Sequence, residues 1–372
     1  MSPFAWIELN QTAFRQNLKS FRSCIRSQDR LGIVVKANAY GHGFSQILAM
    51  SYPLVDLYYV FTVKESQAIR EFEKNLQLSK KRIVLIGPYN VDDLSFLTEE
   101  EIEFVAYDHI LTKNVLENLK VPPRLHFYFD TGLNRDGVFE PPESLKYGEH
   151  IGLMTHLIDE GNGRDLTKEQ LRRFEAMSLN YPKHLERSVC ASIGLLKGVI
   201  KTDSESPLSY RLGLSVYGIW SSHEAKKSFF SSHQEAAHLI TPILSYKAKS
   251  FLLKKVKKGE TIGYCSSYVC EEDKKIAVFP IGYSDGYPWI LSNHSSVLIH
   301  GIHCKVLGRV SMNYIVVDIT HLSCQEEPLV ATLLGQDASG EAISCEELGL
   351  HSMNYEVVTR LPAHIKRIIV AA

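Results

Sequence analysis

In the stretch GIVVKANAYGHG (residues 32–43), Lys36 follows three β-branched apolar residues and precedes a turn holding two glycines and a histidine. A lysine at the end of a buried strand is costly to desolvate, so it needs a partner, an escape to solvent or a chemical task. The ordinary reading is a stem lying along a cavity mouth with its ammonium in water. The chemical reading is a Schiff-base lysine. An amine with a pKa of about 10.4 must fall by roughly three units to be neutral near pH 7, unless it is already condensed with an aldehyde. An imine with pyridoxal phosphate meets that need. Asp130, His156 and Ser192 stand at the ends of similar apolar runs and are the other polar groups placed to do chemistry.

The elements that would position these groups are legible as a series. Eight short apolar runs recur at residues 32–36, 56–62, 82–87, 103–107, 125–130, 152–157, 188–193 and 212–220, with helix-compatible stretches between them. VKESQAIREFEKN and TKEQLRRFEAM carry apolar residues on one face and charges on the other. Strand then helix, repeated eight times, suggests a (β/α)8 barrel of the TIM type, with chemistry at the C-terminal strand ends where Lys36, Asp130, His156 and Ser192 fall. An open doubly wound sheet is the alternative that periodicity leaves standing. After about residue 236 the texture becomes β-rich with glycine turns. The expected division is therefore a barrel over residues 1–235 and a mostly β domain over 236–372. SSHEAKKSFFSSHQEA (221–236) is the transition, and residues 1–10 are a candidate to pair with the β domain.

Composition excludes several classes. The chain has 372 residues, 45% of them hydrophobic, and a formal net charge of −1, so it offers no field for polyanions and no basic-aromatic pattern for nucleic acid. No apolar run approaches the roughly 20 residues needed to span a bilayer, and no signal-like N-terminus is evident. The seven cysteines are odd in number and lack the paired spacings of a metal or redox site. No metal is expected, and the cysteines read as reduced thiols of a cytoplasmic protein.

VVKANAYGHG resembles the cofactor-lysine signature of the alanine racemases, fold-type III pyridoxal-phosphate enzymes with an N-terminal barrel and a C-terminal β domain. Further motifs follow in the family order, from WIELN (6–10) to NYEVVTRL (354–361). The resemblance of SYRLGLSVYGIW implies that Arg211 donates to the pyridine nitrogen. A guanidinium keeps its proton, so that nitrogen would stay unprotonated and the ring would be a weaker electron sink, favouring racemisation over transamination. By the same resemblance the phosphate is held by Tyr40, Ser192, the backbone at Gly213 and Leu214, and Tyr355. Without it, each of these would be an ordinary turn or core residue.

GETIGYCSSY resembles the segment of the family's catalytic tyrosine, which implies that Tyr264 is the second base opposite Lys36, with Tyr283 following 19 residues on. Its phenol, with a pKa near 10, must be shifted down, for which His156 and Arg211 are the candidates. Arg135 in DTGLNRDG and the backbone of Met312 in GRVSMN resemble the groups that meet the substrate carboxylate. In the family the tyrosine and methionine enter the other subunit's site, so the resemblance implies a head-to-tail homodimer with composite sites.

The sequence also departs from the family. Tyr128 stands where a lysine, often carbamylated, usually orients the arginine, so a phenol, a bound anion or Asp136 must hold Arg135 instead. GLNR replaces GMGR, Ala191 replaces an asparagine, Asn313 replaces an aspartate, and THLIDEG replaces THFATAD. These changes bear on substrate choice and turnover more than on cofactor binding. The expected activity is interconversion of L- and D-alanine, supplying D-alanine for peptidoglycan. The alternatives are a serine or broad-spectrum racemase, a fold-type III decarboxylase, a cofactor-homeostasis protein, or a catalytically degenerate partner module. Arg211 and the β domain with Tyr264 speak against the decarboxylase and the homeostasis protein.

Overall fold

The computed structural model describes residues 4–107, 109–139, 148–158, 166–196, 205–223, 226, 227, 229, 240–323, 328–349 and 353–371. The chain begins with β1 (Ala5–Asn10), and the Asn10 side chain accepts the Ala13 N–H at 2.9 Å to start the helix Gln11–Ser23. Eight parallel strands follow: β2 (Arg30–Val34), β3 (Leu57–Val60), β4 (Arg82–Leu85), β5 (Glu103–Val105), β6 (Arg124–Tyr128), β7 (Glu149–Met154), β8 (Glu186–Ser188) and β9 (Ser209–Leu212). Each pairs with its neighbour, β2 pairs with β9, and bridges at Arg187–Leu208 and Ala191–Arg211 join β8 to β9 and close the ring. The doubly wound alternative is thereby excluded.

The two helices expected from their charge patterns form at Val63–Asn75 and Thr167–Ser178, the first opened by a reciprocal cap between Thr62 and Glu65. One run departs from expectation. The stretch 212–220 is not the eighth strand; that strand is β9, and Leu214–Tyr217 forms a buried 3-10 turn. Continuous apolar sequence marks burial and does not by itself choose strand over helix. Gly218 ends the turn at φ +86, where a Cβ would come within 2.0 Å of the Thr241 carbonyl.

At the N-terminal end of the barrel the strand starts carry charges that meet inside. Glu103 is fully buried and accepts from Arg82 (2.8 Å) and His126 (2.8 Å), while Arg82 also reaches Glu186 at 2.9 Å. These partners hold the Glu103 carboxyl far below the usual carboxylate range against the opposing effect of burial. Glu103→Ala would leave Arg82 and His126 facing a hole. Because Arg82 keeps some solvent contact, the expected loss is at the low end for a broken buried pair, about 3 kcal/mol in denaturant unfolding.

The second domain is built from β10 (Leu244–Lys249), β11 (Leu252–Val256), β12 (Thr261–Ile262), β13 (Tyr268–Val269), β14 (Lys274–Phe279), β15 (Ser296–Ile299), β16 (Ile302–Leu307), β17 (Ile315–Asp318), β18 (Val330–Gln336), β19 (Ala342–Ile343) and β20 (Lys366–Val370). Its main sheet runs β11-β14-β17-β16-β15-β18-β10-β1-β20. β1 lies in it, antiparallel to β10 and parallel to β20, so both ends of the described chain sit in this sheet. The division expected at 235/236 lies outside the described residues, as does most of segment 221–236. No helix among the described residues is long and apolar enough to cross a membrane, and no group of metal-ligating side chains forms among them. Cys24, Cys265, Cys270, Cys304 and Cys345 are free thiols, Cys190 is buried, and Cys324 lies outside the described residues.

Candidate active site

Strand β2 delivers Lys36 to the C-terminal mouth of the barrel, where the backbone then turns the wrong way. Ala37, Asn38, Ala39 and Tyr40 all have φ between +52 and +56, and Gly41 follows at +78. A left-handed turn of non-glycine residues costs roughly 1–2 kcal/mol per residue, so surrounding groups must hold it. The Ala37 N–H donates to Glu65 at 3.0 Å, the Phe44 N–H to the Asn38 side chain at 2.8 Å, and Arg367 donates to the Gly41 carbonyl at 2.8 Å. His42 Nδ1 lies 3.1 and 2.9 Å from the carbonyls of Ala39 and Tyr40.

The Lys36 ammonium lies 5.7 Å from the centre of the Phe61 ring. Burial, and then the positive charge of Arg135, lower its pKa; Glu65 and Asp136 pull the other way, and Arg211 adds to the lowering. The shift of Lys36 is in the direction that favours the free base.

Tyr40 ends the left-handed turn, and its hydroxyl faces Gly213, where a Cβ would lie 3.0 Å from it. The Gly213 N–H donates to Ser192 Oγ at 3.0 Å, which leaves the serine O–H to donate elsewhere. The Tyr40 ring is 6.0 Å from Tyr355 and 5.6 Å from Tyr217, and burial pushes its phenol well above the usual value, so it stays a donor. Tyr40, Ser192 and Gly213 thus come together, with Leu214 next in the chain and the Tyr355 ring beside that of Tyr40, as hydroxyls and backbone of a donor set that suits a phosphate.

Arg211 lies across the strand ends. Its terminal nitrogens donate to Ser188 O (2.6 Å), Ser188 Oγ (2.7 Å) and Thr155 O (2.5 Å), which fixes the guanidinium plane. His156 follows Thr155; burial and the positive charges of Arg211, Arg135 and Lys36 push it down to about 3. A neutral imidazole brings no charge, so of the two groups expected to lower the Tyr264 pKa only Arg211 is a cation.

Arg135 sits on the turn after β6, mostly exposed, with Nε donating to Asp136 at 3.0 Å. Its guanidinium also interacts with the phenol of Tyr128, which burial pushes up to about 12. Of the candidates left open by the sequence, Asp136 and a phenol both hold Arg135.

Tyr264, Tyr283 and Met312 lie on the β domain and are exposed, at 70%, 47% and 55%. Tyr264 opens a turn after Gly263. Tyr283 and Met312 are neighbours: the Tyr283 N–H donates to Ser311 O at 3.1 Å, and Ser284 donates to Met312 O. Among the described residues, no hydrogen bond or ring contact joins these three side chains to the Lys36 group. The single chain thus carries a lysine-and-cradle half at the barrel mouth and a tyrosine-and-methionine half on the β domain.

The sequence missed Phe61, Glu65, Ser188 and Thr155. Glu65 is visible in sequence only as a helix cap, and its bond to Ala37, 28 residues away, has no local signal.

A barrel with a lysine at a strand end, a hydroxyl cradle beside it and an appended β domain defines a cofactor-dependent enzyme class. Residues 9–220 match the family model for the alanine racemase N-terminal domain, and residues 243–369 match that for the C-terminal domain. The chain belongs to the alanine racemase family. It is 28% identical to an alanine racemase of Leptospira interrogans over 98% of this chain and 96% of that one. Its fold matches the alanine racemase of Bartonella henselae with covalently bound pyridoxal phosphate, at a TM-score of 0.81, 21% identity and coverage of 99% and 100%. It also matches a histidine racemase of Leuconostoc mesenteroides, at 0.83, 23% and coverage of 99% and 98%.

Two imidazoles of the site, His42 and His156, make stability depend on pH. Burial, with Arg367 adding to it, lowers the His42 pKa to about 4. Below pH 6.5 the unfolded chain takes up a proton that the folded chain refuses, so stability falls as pH drops toward 4 and is full above 6.5. The expected loss from His42 alone is about 3 kcal/mol. Unfolding curves of the apoprotein from pH 7.5 to 4 check this, and His42→Asn is expected to make that part of the profile shallower, the slope due to His156 remaining.

Proposed function

We propose that the chain is a pyridoxal-phosphate-dependent racemase that interconverts L- and D-alanine. The observation that carries this reading is the meeting of Lys36, Arg211 and the Tyr40–Ser192–Gly213 cradle at one barrel mouth. Bound pyridoxal phosphate supplies the electron withdrawal that acidifies the substrate α-hydrogen. Tyr40, Ser192, Tyr355 and the backbone at Gly213 and Leu214 would hold its phosphate, and the neutral His156 would lie against its ring. Arg211, fixed by Ser188 and Thr155, would donate toward its ring nitrogen.

Lys36 binds the cofactor and, as a free amine, moves a proton at Nζ on one face of the substrate α-carbon. Tyr264 moves a proton at its phenolic oxygen on the opposite face. Arg135, with the Met312 backbone and Tyr283, receives the substrate carboxylate. The separation of the two halves in one chain supports a head-to-tail homodimer in which Tyr264 of the partner subunit completes each site. We further propose that the enzyme works in the cytoplasm and supplies D-alanine for peptidoglycan.

Incubation of purified protein and cofactor with L-alanine, followed by chiral chromatography, tests the reading. Absence of D-alanine from protein with bound cofactor would overturn it. A serine or broad-spectrum racemase is the second reading, favoured by Tyr128 beside Arg135. Tyr128→Phe removes one of the two groups holding Arg135. The expected result is a KM about tenfold higher with a smaller change in kcat, as fits one lost charge-assisted hydrogen bond.

A further inference from the structure

We propose that His42 is a positioning residue that sets the distance between Lys36 and Tyr40 by holding the left-handed turn between them. The inference rests on the functional reading above, which gives those two residues opposite ends of one cofactor. Four consecutive non-glycine residues, Ala37 to Tyr40, occupy the left-handed region, three of them between the two side chains. The turn's own bonds, Gly41 N–H to Ala37 O at 3.0 Å and His42 N–H to Ala39 O at 3.1 Å, hold its spacing but supply no backbone donor to the Tyr40 carbonyl among the described residues.

His42 Nδ1 approaches those carbonyls at 3.1 and 2.9 Å. Carbonyl oxygens only accept, so Nδ1 carries the hydrogen and Nε2 carries the lone pair. Nε2 is buried with no hydrogen-bond partner among the described residues, so the imidazole is kept for its one donor and its flat shape. The ring stacks on Tyr217 at 4.6 Å and 22°. Tyr217 in turn donates to the Val34 carbonyl of β2 at 2.7 Å, two residues before Lys36. Arg367 secures the next carbonyl, that of Gly41. The imidazole is therefore keyed to the strand that carries Lys36 and to the turn that ends at Tyr40. Without the Nδ1 donor the turn is free to relax toward right-handed geometry, which would draw the Tyr40 hydroxyl away from Gly213.

Two amide variants separate this role from space filling. The Asn amide nitrogen replaces Nδ1, whereas the Gln amide nitrogen falls nearer Nε2. Each variant and the wild type are titrated with pyridoxal phosphate and then reduced with borohydride, and peptide mapping counts the cofactor joined to Lys36. Thermal unfolding of the apoproteins is followed alongside. The expected result is His42→Asn within about threefold of wild type in affinity and labelling, and His42→Gln at least about tenfold weaker, with both folded. Equal loss in both folded variants, or wild-type labelling in His42→Gln, would overturn the proposal. If His42→Gln does not fold, His42→Asn decides alone: wild-type-like labelling supports the proposal and its loss in a folded protein overturns it. Failure of the wild type to bind the cofactor at Lys36 would instead overturn the functional reading, and this inference with it.

Discussion

Lys36→Ala is expected to lose the visible absorbance of protein-joined cofactor together with essentially all racemisation, a fall of at least about 10⁴-fold. Two roles disappear at once, because the same amine joins the cofactor and moves the α-proton. The site is arranged for a lysine that spends part of its cycle uncharged: burial and Arg135 lower its pKa, and the Phe61 ring lies 5.7 Å from its ammonium. Absorbance titration with cofactor and a chiral assay check the two losses separately. Retention of both would remove Lys36 from the mechanism.

Tyr264→Phe is expected to leave that absorbance in place and to lower racemisation by about 10²–10⁴-fold, the range for one lost acid–base group. The side chain is exposed on the β domain and makes no hydrogen bond among the described residues, so losing its hydroxyl should not disturb the barrel mouth. In deuterated water the variant should still exchange the α-hydrogen of one enantiomer, the one whose proton faces Lys36, without inverting it. Unchanged racemisation in both directions would place the second base elsewhere.

The barrel was largely readable from sequence for a physical reason. Parallel strands buried on both faces appear as continuous apolar runs, and Ile33, Tyr58, Tyr59, Ile83, Val84 and Leu85 are fully buried in this way. The same signal failed at 212–220, where the apolar residues line a buried 3-10 turn after β9. Lys36, Tyr40, Ser192 and Arg211 carried motif resemblance, and the structure brings them to one mouth.

What sequence could not give is the geometry between them. Nothing in KANAY favours a left-handed turn, and Asn38 is the only member with more than slight tolerance for it. The conformation is imposed by partners such as Arg367, which bonds to Gly41 across 326 residues of chain. The charges inside the barrel follow the same rule, since Arg82 and Glu186 are 104 residues apart in sequence. The hold on Arg135 was half visible: Asp136 is its chain neighbour, whereas the part of Tyr128 needed the fold to bring the end of β6 against the following turn.

Mixing the two inactive variants tests the central claim, that Lys36 and Tyr264 act as the two bases of one site built from two subunits. In a Lys36→Ala/Tyr264→Phe heterodimer one site would have both groups and the other neither. Random re-association of equal amounts is expected to restore about a quarter of wild-type racemisation, from half the dimers each carrying one of two sites. Recovery at that level would support both roles and the shared site. No recovery in mixtures shown to contain the heterodimer would contradict the account.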